Sequence, residues 1–224
     1  MKKSTVVLLT ILIILITDQI VKFYIKTHIH YGDGFDILGL SWAKIHFVEN
    51  EGMAFGMSFG GLTGKYILSI FRIIMVTFLF YILRSLIKQN ETTGLIISFS
   101  MIIAGALGNI IDSMFYGLIF SESYFHGGLA TLFPAEGGYG SFLTGKVVDM
   151  LYFPLIDTVL PEWVPVWGGE RFEFFRPVFN IADSAITVGV ASILLFHRRF
   201  FSNETVKENK TAEEVNTQGD TSQA

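Results

Sequence analysis

Three polar pairs interrupt otherwise apolar stretches of this sequence: Asp18 with Lys22, Asn109 with Asp112, and Asn180 with Asp183. Ionisable groups inside apolar helices are costly and ordinarily face a bundle interior or a cavity. Asn109 and Asp112 are three residues apart, as are Asn180 and Asp183, so each pair occupies one helix face. Thr187 continues the face of Asp183. Carboxylates that share a site cannot both ionise easily, and a pair sharing one proton suits acid–base chemistry. Other readings of the same residues stand beside this one. Asn and Asp can serve as interhelical hydrogen-bond glue worth about 0.6–2 kcal/mol each, Asp18 and Lys22 can form an i, i+4 ion pair, and buried carboxylates can relay protons or ions.

Two further segments carry polar groups with chemical potential. His46-Phe-Val-Glu-Asn50-Glu-Gly52-Met-Ala-Phe55-Gly56 reads as a short strand followed by a glycine-bearing turn. Its Asn50 is either a solvated loop residue or an amide able to hold an extended peptide. Gly145-Lys-Val-Val-Asp149-Met-Leu-Tyr-Phe153 is too short to span a bilayer, so it is extended or helical at the interface. Asp149 is there either solvated or aimed inward. The chain has no cysteine, which excludes thiolate catalysis, disulfides and cysteine-based metal sites. A net charge of −4 gives no basic footprint for nucleic acid.

The elements that must position these groups are apolar blocks. The composition is 51% hydrophobic and 16% charged, against about 25% charged residues in average soluble proteins. Four segments stand out, roughly 4–25, 66–87, 94–115 and 177–197, each matched to the roughly 20 residues that cross a bilayer. Outer stretches of about 26–65 and 116–176 separate the first from the second and the third from the fourth, and a short hydrophilic turn, Lys88–Thr93, joins the second and third. None of the five prolines interrupts the interior of a proposed helix, and Pro177 suits the first turn of the fourth. Lys2 and Lys3 before Val6–Ile16 resemble the start of a cleavable signal, yet no small-x-small cleavage site follows, so a retained first helix is expected.

With four spans, Lys2, Lys3, Arg84, Lys88, Arg198 and Arg199 cluster on one side, which places both termini in the cytoplasm. The three polar pairs, with Arg72 early in the second segment, then share the opposite, outer end. Ala104 and Gly108, with Gly105, permit the close helix approach that would let those polar faces meet. Residues 1–201 read as one membrane domain, and the polar 202–224 as a disordered cytoplasmic tail.

Taken in order, Asp18-Gln-Ile-Val-Lys22, Asn50-Glu-Gly-Met-Ala-Phe55, Gly105-Ala-Leu-Gly-Asn109-Ile-Ile-Asp112, Gly145-Lys-Val-Val-Asp149 and Phe179-Asn180-Ile-Ala-Asp183-Ser resemble the lipoprotein signal peptidase family, or signal peptidase II. The resemblance covers about residues 10 to 195. It implies an all-α membrane protein, a four-transmembrane-helix bundle with a small extracytoplasmic β-structured cradle, in the bacterial cytoplasmic (inner) membrane with its site toward the outer leaflet. It also implies an aspartic endopeptidase without metal or other cofactor, in which Asp149 and Asp183 form the catalytic dyad. Asp18, Lys22, Asn50, Gly52, Asn109, Asp112 and Asn180 would then be supporting or substrate-contacting residues. The implied partners are diacylglyceryl-modified prolipoproteins and membrane lipid, with globomycin as inhibitor.

The sequence departs from the family in three places. Ser113 stands where the family usually has Arg, leaving open whether Arg72, Arg176 or another cation supplies the charge. Met150 follows Asp149 where Phe is usual. The stretches Leu118–Thr144 and Pro154–Arg176 are long, and Trp163 and Trp167 in the second suit either a membrane interface or a packed core. Outside the family, a transporter built on paired broken helices would need two related halves, which are not visible, and a presenilin-like protease would need a Gly-x-Gly-Asp pattern, which is absent. A non-catalytic assembly protein with polar helix glue is the third alternative.

Overall fold

The computed structural model describes residues 1–52, 61–125, 127–198 and 200. Among the described residues, three helices are long and apolar enough to cross a membrane. These are α1 (Lys3–His28), α2 (Gly61–Lys88) and α3 (Thr93–Ile111), the last continuing through a π-helical turn at Asp112–Tyr116 into the short α4 (Gly117–Ile119). Thr92 caps α3 by accepting the Leu95 N–H at 3.4 Å. The π turn comes where Asp112 and Ser113 must reach the interior, a common place for one extra residue in a turn. Along α1 and α2, exposed Leu, Ile and Phe side chains form the continuous apolar surface that lipid would cover.

The fourth apolar helix, α5 (Ile181–Phe196), has 16 residues and starts later than its sequence pattern predicts. Pro177 does not lie in its first turn. Val178–Phe179 is instead a strand that pairs with residues 151–152, and Asn180 begins the helix with a capping box. The box wins because Asn180 and Asp183 satisfy each other's backbone N–H groups at the N-terminus, which no residue near Pro177 can do. The expected tail 202–224 and the Met53, Ala54 and Phe55 of the second motif lie outside the described residues.

Between the helix ends lies an antiparallel sheet in the order β1-β2-β3-β6, formed by β1 (Gly34–Asp36), β2 (Lys44–Asn50), β3 (Val147–Tyr152) and β6 (Val178–Phe179). A separate hairpin, β4 (Ile156–Val159) with β5 (Arg171–Phe174), projects from the stretch between β3 and β6. The segment around Asp149 is therefore a strand. Its register pairs Asn50 with Val147 and Val48 with Asp149, so Asn50 and Asp149 are diagonal neighbours on one face.

Two apolar clusters hold the assembly. One, at the α2–α3 turn end, joins Leu83, Leu86, Leu95, Ile96, Phe99, Ile103 and Ile193. The other packs Ile25, Phe47, Tyr116, Phe120, Val148 and Met150 between helices and sheet. α3 and α5 touch almost backbone to backbone. A Cβ on Gly105 would sit 2.2 Å from the Ala182 carbonyl oxygen, and one on Gly189 would sit 2.7 Å from that of Ser98. Helices that meet through glycine bring the bases of their polar side chains together.

Candidate active site

Asp183 is positioned by the first turn of α5. Its backbone N–H donates to Asn180 Oδ1 at 2.8 Å, and its own carboxylate accepts from the Asn180 backbone N–H at 3.4 Å. From α3, Asn109 Nδ2 donates to Asp183 Oδ1 at 2.7 Å. Asp149 reaches the same place from β3 and is aimed inward, with 2% of its surface exposed. Asn180 Nδ2 donates to Asp149 Oδ1 at 2.7 Å, and Asn50 Nδ2 donates to Oδ2. Asn180 Nδ2 also lies 3.1 Å from Asn109 Oδ1. The two carboxylates are thus gathered around three asparagine amides that come from β2, α3 and the start of α5.

Burial, with the negative charge of Asp183 beside it, raises the Asp149 carboxyl from the ordinary value of 3.8 to about 7. The Asn180 and Asn50 donors and the positive charge of Lys22 oppose that rise without cancelling it. A carboxyl poised near neutrality can both hold and release a proton at working pH.

Beneath this pair lies a second, fully enclosed layer. The Lys22 ammonium, 0% exposed, pairs with Asp18 at 2.9 Å and Asp112 at 2.8 Å and donates to Asn109 Oδ1 at 2.9 Å. The Asp18–Lys22 ion pair is therefore real, yet it is one edge of a larger cluster. Asp18 Oδ1 accepts the Ala182 N–H at 2.9 Å, so a side chain of α1 helps cap α5. Asp112 Oδ2 accepts the Val148 N–H at 3.3 Å, tying α3 to the strand that carries Asp149. Buried charges survive only when paired and hydrogen-bonded, and every buried polar side-chain atom among the described residues has a partner.

Arg72 and Arg176 separate clearly. Arg72, from α2, lies within electrostatic reach of Asp183, Asp112 and Asp149 and donates to the Gly52 carbonyl. Arg176 is a surface residue 3.8 Å from Glu173. Ser113 turns back to accept no charge at all: its hydroxyl donates to the Asn109 carbonyl at 3.1 Å. Gly52 has φ +89°, which favours glycine, and a Cβ there would push on the Arg72 guanidinium 2.6 Å away. Its N–H donates to Asn50 Oδ1 at 2.5 Å, which fixes the amide that faces Asp149.

Gln19 joins the cluster although it is not among the expected site residues. Its Nε2 donates to Asp112 Oδ1 at 2.9 Å, and its Oε1 accepts the Tyr116 hydroxyl at 3.2 Å. Its place next to Asp18 inside an apolar run was the available signal. The buried Lys26–Glu49 pair, with Ser123 2.9 Å from Lys26 Nζ, was not legible, because its members come from three distant segments.

Residues 10–199 match the family described as Peptidase_A8, Signal peptidase (SPase) II. The chain belongs to the signal peptidase II family. A protein named lipoprotein signal peptidase from Porphyromonas gingivalis is 48% identical over 201 residues, which is 89% of this chain and 86% of that one. Another of that name, from Amoebophilus asiaticus, is 35% identical over 203 residues, covering 89% and 80%. A solved structure described as a bacterial membrane enzyme, determined by the in meso method, aligns with a TM-score of 0.54 at 26% identity, over 88% of this chain and 90% of that chain. Membership in the signal peptidase II family makes this chain a membrane peptidase.

Proposed function

We propose that this peptidase removes the signal peptide from lipid-modified prolipoproteins, cleaving before the diacylglyceryl-cysteine with Asp149 and Asp183 as an aspartic dyad. The observation that carries the reading is the meeting of these two carboxylates on one lattice of asparagine amides, one of them raised to about 7 partly by the other's charge. Asp149, the carboxyl raised to about 7, holds the proton that the pair shares. Asp183 takes a proton from a water as it attacks the scissile carbonyl. Asp149 donates to the developing oxyanion, and the protons then pass to the departing amine. Asn50 and Asn180 orient Asp149 and are close enough to hold an extended substrate backbone. Asp18, Lys22, Asn109 and Asp112 keep the pair in place, and Gly52 fixes Asn50.

The membrane arrangement follows from the same reading. α5 runs antiparallel to α3 from the Gly105–Ala182 contact to Gly94, where a Cβ would meet His197 at 3.0 Å. It thereby reaches the depth at which α3 begins and serves as the fourth span of a domain formed by residues 1–201. Both termini are cytoplasmic in a bacterial inner membrane, and the dyad faces the outer leaflet. A lipid-anchored precursor then arrives laterally, its signal helix and acyl chains still in the bilayer. Globomycin competes for this site.

Cleavage of a diacylglyceryl-modified precursor by the purified full-length protein tests the proposal. Asp149→Asn and Asp183→Asn should each lower the rate by about 10³-fold while purifying as folded membrane proteins, and globomycin should block the wild type. Normal cleavage by either variant would overturn the dyad.

A further inference from the structure

The β4–β5 hairpin takes no part in the site, and it leaves a whole apolar face uncovered. Across the ladder Ile156 pairs with Phe174 and Thr158 with Phe172, which puts these four on one face. Asp157, Glu173, Arg171 and Val159 make the other face. This second face is open as well, with Arg171 and Val159 exposed and Glu173 tucked against the protein. Arg171 forks onto Asp157 at 2.7 and 2.5 Å, and Glu173 accepts the hydroxyl of Tyr152 from β3. The apolar face is left outward, and Ile156, Phe172 and Phe174 are exposed. The tip adds Trp163, Val166 and Trp167, exposed by 80%, 87% and 60%. The packed-core alternative for these tryptophans is therefore excluded.

A soluble hairpin would bury its apolar face on the sheet and show its ion pairs to water. One that leaves its apolar face and its tip uncovered has an apolar surrounding for them, because apolar area left in water forfeits about 25 cal/mol per Å². Two observations say which surrounding. First, the outward face bears no charged side chain, so nothing on it matches a charged protein partner. Second, the face is continuous with the end of a membrane helix. The Phe175 ring lies 6.1 Å from Phe179, and Phe179 directly precedes the Asn180 cap of α5. From Phe179 the aromatic run continues to Phe153 at 5.6 Å and on to Trp42 at 6.4 Å. Tryptophan is the residue type enriched where hydrocarbon gives way to head groups.

We propose that the β4–β5 hairpin is an interfacial membrane anchor, its Ile156, Phe172 and Phe174 face and its Trp163–Trp167 tip seated in the head-group zone of the bilayer that holds α5. The seating is apolar and independent of lipid charge, since the tip itself carries Glu162 and Glu170. It stands whether or not the dyad assignment does.

The chain has three tryptophans, so Trp42→Phe leaves only Trp163 and Trp167 to report while keeping an aromatic ring beside Phe153. The full-length Trp42→Phe protein is reconstituted in phosphatidylcholine nanodiscs. Quenching of its emission is compared for lipids brominated near the head group, lipids brominated deep in the acyl chain, and aqueous iodide, at low and high salt. The expected result is loss of most emission with shallow bromine, less with deep bromine and little with iodide, unchanged by salt. Strong iodide quenching with no bromolipid effect would place the hairpin in water, free for a protein partner, and overturn the proposal. Seating that appears only with added anionic lipid and is lost in salt would overturn it as well.

Discussion

Asn180 donates to Asp149 across 2.7 Å from the very residue that starts α5. One side chain thus caps the last helix with its oxygen and steadies a carboxylate of the sheet with its nitrogen. Asn180→Ser separates the two tasks, since serine still caps but cannot reach Asp149. Loss of a donor to the charged form raises an acid. The Asp149 carboxyl should therefore move above about 7, and the alkaline limb of cleavage should shift to higher pH with α5 intact. An unchanged pH profile with normal rate would show that Asn180 serves only as a cap.

The raised Asp149 value has a sign that can be checked directly. Between the ordinary 3.8 and about 7 the unfolded chain releases this proton while the folded protein keeps it. Folded stability from this group is greatest below 3.8 and is lost as pH rises through about 7. Infrared titration should find a protonated carboxyl band that disappears around neutrality and is missing from Asp149→Asn. Asp183→Asn removes the neighbouring charge, so the same band should then vanish at lower pH. A band that titrates identically in that variant would mean the two carboxylates are not coupled.

Lys22 holds two buried carboxylates at once. Lys22→Met strands both charges, which should cost about 3–5 kcal/mol in thermal unfolding of the purified protein. Adding Asp112→Asn removes one stranded charge and should recover part of that loss, because residues in one network are not additive. A double variant as unstable as the sum of the singles would contradict the cluster.

At the α3–α5 contact a Cβ on Gly105 has nowhere to go, since it would meet backbone rather than a movable side-chain tip. Gly105→Ala should cost about 1–3 kcal/mol and lower activity by displacing α5, which carries Asp183. Gly128, where a Cβ meets nothing within 4 Å, is the matched control and should tolerate Ala.

Arg72 pins the carbonyl of Gly52, whose N–H in turn orients Asn50. Arg72→Gln should lower kcat/KM by about 10²-fold, the usual cost of a misplaced group. Arg72→Lys should restore some of it by keeping the charge. Wild-type kinetics in Arg72→Gln would leave the charge absent at Ser113 without a substitute in this chain.

The helical part of this fold was open to reading because long apolar runs and i, i+3 polar pairs carry their own periodicity. Asn109, Asp112, Asn180 and Asp183 could be set on shared faces, at one end of a bundle, from spacing alone. The start of α5 was misread because a proline near an apolar run imitates a first helical turn, whereas pairing of Val178–Phe179 with β3 is long-range. Strand residues such as Asp149 have period two and point either way until a partner strand fixes the register. Only the Asn50–Val147 pairing and the Asp112–Val148 bond make Asp149 point inward. Lys26–Glu49 and the uncovered apolar face of the β4–β5 hairpin lay further out of reach, since nothing local to their segments announces their partners.

The capping of α5 by Asp18 bears on how the protein is made. α1 leaves the ribosome well before α5, so the Ala182 N–H that Asp18 accepts does not exist until α5 has been made. While it waits, Asp18 is neutralised by Lys22 on its own helix, which lets α1 enter the bilayer without an open charge. Asp183 arrives on that last helix too. The two carboxylates therefore come together only once α5 is in place, and a chain that stops before it lacks half of the proposed dyad.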